Sequence, residues 1–132
     1  MEIRCSASDS TLRFTGNVPR GLTGYDGYSF DVTLHTTALT AAVTVHDIQP
    51  PSWSRFFASL AREWEGWQGE KTHESLEYHL RISATMDSVG HVALRVTLRG
   101  DVSENNWRAE DTLFLEAGQL ERLSRHARNF FG

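Results

Sequence analysis

The amino-acid sequence predicts an α+β fold: an antiparallel sheet of about seven strands, curved or split into two packed sheets. One long helix packs on its apolar face and a short helix closes the chain. Three observations carry this reading. Residues 28–35, 76–84 and 91–99 alternate apolar and polar side chains, the period of a half-buried strand. Residues 50–65 instead place Trp53, Phe56, Phe57, Leu60 and Trp64 on a 3.6-residue period, the apolar stripe of a helix. Hairpin-like turns between the strands favour antiparallel pairing. The expected element order is β-β-β-β-α-β-β-β-α.

Residues 2–6 and 11–15 form the first two strands, with Leu12 and Phe14 alternating against Thr11 and Arg13 around a Ser8-Asp9-Ser10 turn. Residues 16–27, GNVPRGLTGYDG, carry four glycines and a proline and read as a loop. A loop of that length is often functional. It lacks a phosphate-loop pattern and reads as a surface connection with Tyr25 folded back onto the sheet. In residues 28–35, Tyr28, Phe30, Val32 and Leu34 take one face. Residues 39–46 pair with them, burying Leu39, Ala41, Val43 and Val45.

The long helix follows, with Pro50 or Pro51 at its first position and Gly66 at its end. Trp64 belongs to its core stripe, so Trp64→Ala should cost about 3–5 kcal/mol. Trp67 falls beyond the stripe, beside an acidic loop over residues 68–75.

Residues 76–84 and 91–99 make a second hairpin through a three-residue Ser88-Val89-Gly90 loop, with Gly90 left-handed. That register opposes Leu80 to Leu98, Ile82 to Val96 and Asp87 to His91. Leu76, Tyr78, Leu80 and Ile82 then share the apolar face, and a one-residue slip would bury Arg81 and Arg95. Residues 100–106 make a turn and 107–115 a last strand, blurred at Leu113-Phe114-Leu115. From about Ala117 the spacing of Leu120, Leu123, Ala127 and Phe130 predicts the C-terminal helix.

The chain has 132 residues, enough for a single domain over 1–132 and too few for two full cores. Its net charge of -4 argues against a general nucleic-acid binder. A single cysteine, Cys5, rules out an intrachain disulfide. No apolar run is long enough to span a membrane and no signal segment is visible, so a cytoplasmic location is expected.

Chemistry is sparse. Six histidines show neither HExxH nor HxH spacing, and no metal or cofactor is expected. His73 and His126 stand alone. His91, opposite Asp87, suits a hydrogen bond at the hairpin mouth. No serine or cysteine is marked as a nucleophile, and the carboxylates of residues 63–77 read as a solvated face. The polar face of the second hairpin is the candidate interaction surface. Its residues are His79, Arg81, Arg95 and Arg99, with Trp67 nearby, since contact hot spots favour Trp, Tyr and Arg.

Three further stretches carry a resemblance: W-x-G-W-x-G at 64–69, D-x-x-G-H-V-x-L-x-V at 87–96 and LEAGQLE at 115–121. As a set, across roughly residues 25–131, they resemble a small bacterial family of unknown function, number 6228. That family is distantly similar to WapI-type immunity proteins, which bind and neutralise a toxin's C-terminal domain. The resemblance implies no catalytic residue. Within these stretches Gly90 and Gly118 read physically as turn positions, and Trp64 and Leu120 as core. The expected function is a non-enzymatic, immunity-like protein-binding domain whose partner is a toxin domain, not nucleic acid or membrane. The alternative is a small-ligand module with a cavity between helix and sheet, lidded by the 16–27 loop.

Overall fold

The computed structural model describes residues 1–18, 27–48, 52–100 and 107–132. Most of the 16–27 loop, with Tyr25, lies outside them. So do Pro50 and Pro51, and residues 101–106 of the turn before the last strand. Two antiparallel four-stranded sheets stand where one sheet of about seven strands was expected. The N-terminal sheet runs in the order β1 (Glu2–Arg4), β2 (Thr11–Val18), β3 (Gly27–His35) and β4 (Thr40–Ile48). The C-terminal sheet runs β5 (Lys71–Glu74), β6 (Leu80–Met86), β7 (His91–Arg99) and β8 (Arg108–Glu116). Between them lies α1 (Ser52–Arg62), and α2 (Leu120–Phe131) follows a 3-10 turn at Ala117–Gln119. The expectation of one long and one short helix also fails: α1 has 11 residues and α2 has 12.

The β6–β7 hairpin keeps the predicted register, Leu80 opposite Leu98 and Ile82 opposite Val96. Gly90 holds φ +85, the left-handed conformation its loop requires. The hairpin starts later than its alternation suggests. Tyr78 takes φ +64 and its N–H donates to the Ser75 carbonyl, so the chain turns through residues 76–79. Leu76 and Tyr78 are therefore exposed rather than buried. The unpredicted β5 lies in the supposed polar loop. Its sequence KTHE has no apolar alternation, and it pairs with β6 as an edge. In β8 the blurred triplet resolves with Leu113 and Leu115 inward and Phe114 outward.

A single hydrophobic cluster joins both sheets and both helices. Phe57, Phe130 and Phe131 meet Phe14 of β2 edge-on, at ring distances of 5.8–6.5 Å. Phe30 of β3 joins the same aromatic group, tilted against Phe14 and edge-on to Phe131. Trp53 and Phe56 pack on His73 of β5. The Ser54 hydroxyl donates to the Gly132 carbonyl at 2.9 Å, so the start of α1 meets the end of α2 and the helices run antiparallel. Glu116 and Gln119 close a capping box before α2, the Glu116 N–H donating to Gln119 Oε1 at 2.8 Å. Hydrogen bonds tie the sheets at one corner: Ser6 N–H donates to the Phe114 carbonyl (2.8 Å) and Phe114 N–H to Cys5 Sγ (3.3 Å). No helix among the described residues is long and apolar enough to cross a membrane.

The largest departure concerns two tryptophans. The helix stops at Arg62, and a turn over Glu63–Gly66 swings Trp64 away from the stripe. Trp64 is 57% exposed, not core. Trp67 turns inward instead. It packs against the core, its Nε1–H donates to the Ala84 carbonyl at 3.1 Å, and the Lys71 ammonium sits 5.8 Å above its ring.

Candidate functional site

Strand register places Arg81, Arg95 and Arg99 on one face of the C-terminal sheet, whereas His79 lies in the turn before β6. Trp67 is not with them; it is half-buried against the core. The face is partly self-compensated. Arg81 lies 3.8 Å from Glu70, Arg95 3.9 Å from Glu110, and Arg108 2.8 Å from Glu110. Hydrogen bonds from Ser83 and Thr72, with Arg81 nearby, hold the Glu70 carboxyl below the usual range. The Arg108 hydrogen bond does the same for Glu110. These groups line a shallow cavity of about 100 Å³. His79 packs its Nδ1 on the Arg99 carbonyl (3.0 Å) and faces Glu77 (3.5 Å). Exposed pairs of this kind, screened by solvent, contribute little to stability. Glu70 and Glu110 thus answer three arginines of the face in part, Arg95 and Arg108 sharing Glu110.

Histidines do other work here. His91 holds the hairpin mouth as expected, with Nδ1 3.0 Å from Asp87 and Nε2 3.7 Å from Glu116. His73 is not isolated. Its Nε2 lies 2.7 Å from the Ser52 hydroxyl, joining β5 to the start of α1. Burial lowers the His73 pKa, so the ring is neutral at neutral pH. Buried Asp47 lies nearby, but its two oxygens accept the Ile48 N–H (3.0 Å) and the Trp53 Nε1–H (3.1 Å). Burial and the Asp47 charge raise the Tyr28 pKa. The imidazole is wedged against Trp53 and Phe56, and no Asp47 hydrogen bond aligns it for proton transfer. This cluster is a polar rivet between β4, α1 and β5.

A different surface gathers side chains that are not satisfied internally. The outer groove between α1 and α2, about 590 Å³, is floored by small residues: Ala58 and Ala61 of α1, Ser124 of α2, and Ala117 and Gly118 before it. Trp64 walls one end. Arg62, Arg125 and Arg128 edge it and form no ion pair among the described residues; Glu121 is its one carboxylate. The preceding turn and the helix ends place these groups, since α1 terminates where α2 begins. The sequence signal for this site was faint. Trp64 continues the stripe arithmetically, and only Gly66 and the flanking Glu63 and Glu65 hint that the helix ends first. A second groove of about 570 Å³ lies on the other side of α2, against β1 and Leu115.

No curated protein and no solved structure matches this chain. The model of one family, described as a family of unknown function (DUF6228), matches residues 3–132, which include every element above but for the first residue of β1. The match reaches β1 and β2, beyond the stretches in which the resemblance was first visible. By that nearly full-length match, the chain belongs to the family of unknown function DUF6228.

Proposed function

We propose that the chain is a non-enzymatic protein-binding domain that uses the α1–α2 groove. The observation that carries this is Trp64, 57% exposed at the end of a concave, small-residue groove edged by arginines. A large aromatic ring left in water forgoes a substantial apolar gain that a partner's contact recovers. Trp and Arg are also the residue types on which binding energy concentrates. An immunity-like role, in which the partner is a toxin domain, is the specific form of this reading; it rests on the sequence resemblance.

A photo-crosslinking amino acid at position 64, in cells of the source organism, tests the proposal. The expected result is a defined protein adduct that is absent when the label is placed at exposed Val89. Equal labelling at the two positions overturns it. A small-ligand module is the second reading, favoured by the groove beside β1, whose volume is in the range of ligand sites. A melting midpoint raised by a metabolite, but not by a partner protein, would support that reading instead.

A further inference from the structure

We infer that the segment seated in the α1–α2 groove is a short acidic stretch of the partner protein; this rests on the protein-binding reading of that groove. Charge distribution is the basis. The two helices together carry five arginines (Arg55, Arg62, Arg122, Arg125 and Arg128) and one carboxylate (Glu121), a net of +4. The whole chain is -4, so everything outside the helices sums to -8. The helix pair is a basic element of an acidic protein, with Arg62, Arg125 and Arg128 on the face that bears the groove, a separation that the overall charge conceals.

Within that face the groove concentrates the imbalance. Arg62, Arg125 and Arg128 face one carboxylate, Glu121, and form no ion pair among the described residues, whereas Arg81, Arg95 and Arg108 of the C-terminal sheet are paired with Glu70 and Glu110. Arg125 and Arg128 are three residues apart on α2 and project as neighbours about 5–6 Å apart. That spacing suits two carboxylates on one side of an extended strand, which recur about every 6.8 Å. From Gly118 to Arg128 the groove runs about 15 Å along the helix axis, the length of about five extended residues. Ala58, Ala61 and Gly118 leave room for the segment's backbone, and Trp64 offers a ring for one apolar side chain at the groove end. A nucleic acid fits less well. It would bring a long polyanion up to a molecule whose remaining surface is strongly negative.

A displayed library of random peptides, panned against the full chain, supplies the probe. The recovered peptides are expected to be rich in Asp and Glu with one large apolar residue. Their affinity should fall about tenfold or more in the R125E/R128E double variant, and also as salt rises. Trp64→Ala should weaken them without changing the salt dependence. Replacing the peptide's acids with Lys should restore binding to R125E/R128E, an effect that a merely misfolded variant cannot give. R125Q/R128Q, with an unchanged melting midpoint, checks the fold. Neutral or basic peptides, no peptides, equal affinity for the variants, or tighter binding of single-stranded DNA would each overturn the inference. If crosslinking at position 64 still captures a protein in that event, the acidic assignment alone has failed. If crosslinking fails too, the groove is not a protein site.

Discussion

Trp64 and Trp67 exchange the roles their spacing assigns, and the exchange has measurable energetics. Trp64 projects into solvent and Trp67 fills core space beneath Lys71. Trp64→Ala should change stability by less than about 0.5 kcal/mol, like other exposed substitutions. Trp67→Ala should cost about 2–4 kcal/mol, from lost burial and from the Ala84 carbonyl left without its indole donor. Urea melts of the two variants decide it, and a larger loss for Trp64→Ala would restore the stripe assignment. Three residues of helix separate the two outcomes, a length that stripe arithmetic does not resolve. His73 gives a second residue-scale test. Burial lowers its pKa in the folded chain below the usual 6.5, so between those two values the unfolded chain binds more protons. Stability is then full above pH 6.5 and declines as pH falls below it. His73→Gln should flatten that part of the profile in thermal melts; an unchanged slope would remove His73 as the cause.

At the scale of elements, what was legible depended on whether one stretch of sequence carried the whole pattern. The β6–β7 register was legible because both strands alternate strictly and a slip buries two arginines. Gly90→Ala should therefore cost about 1–2 kcal/mol. The added methyl finds ordinary contact 3.6 Å from the Ala117 side chain, but the backbone is held at φ +85. Guanidinium melts would read the loss directly, and a neutral substitution would mean that the loop relaxes. β5 was illegible for the opposite reason. Its one inward ring is an imidazole, held by Trp53, Phe56 and Ser52 from a helix about twenty residues earlier. The start of β6 was misread because Leu76 and Tyr78 extend the alternation into a turn fixed by Ser75, whose hydroxyl accepts the Leu80 N–H at 3.1 Å.

For the whole molecule, the sequence pattern made the α+β class readable but not the division into two sheets. Strand alternation does not say where one ladder ends. The divide falls where α1 replaces a β-turn between β4 and β5. The arginines of the expected surface were legible as outward residues, but their pairing to Glu70 and Glu110 depends on cross-strand register. The groove was hidden because it is made by two helices far apart in sequence, and because charge was counted over the whole chain. Removing residues 120–131 should uncover the Phe14–Phe30 aromatic group. The truncated chain is expected to bind a hydrophobic dye strongly and to lose cooperative melting; a sharp transition would show that α2 is dispensable. The Cys5–Ser6 contact with Phe114 has a consequence for synthesis. Every ladder pairs strands adjacent in the chain, so each sheet can wind locally and quickly. The corner that joins them spans 109 positions between Cys5 and Phe114. On the ribosome the first sheet must wait, its aromatic face covered only in part by Phe57 of α1, until β8 and α2 have emerged, and that interval is when the chain most needs a chaperone.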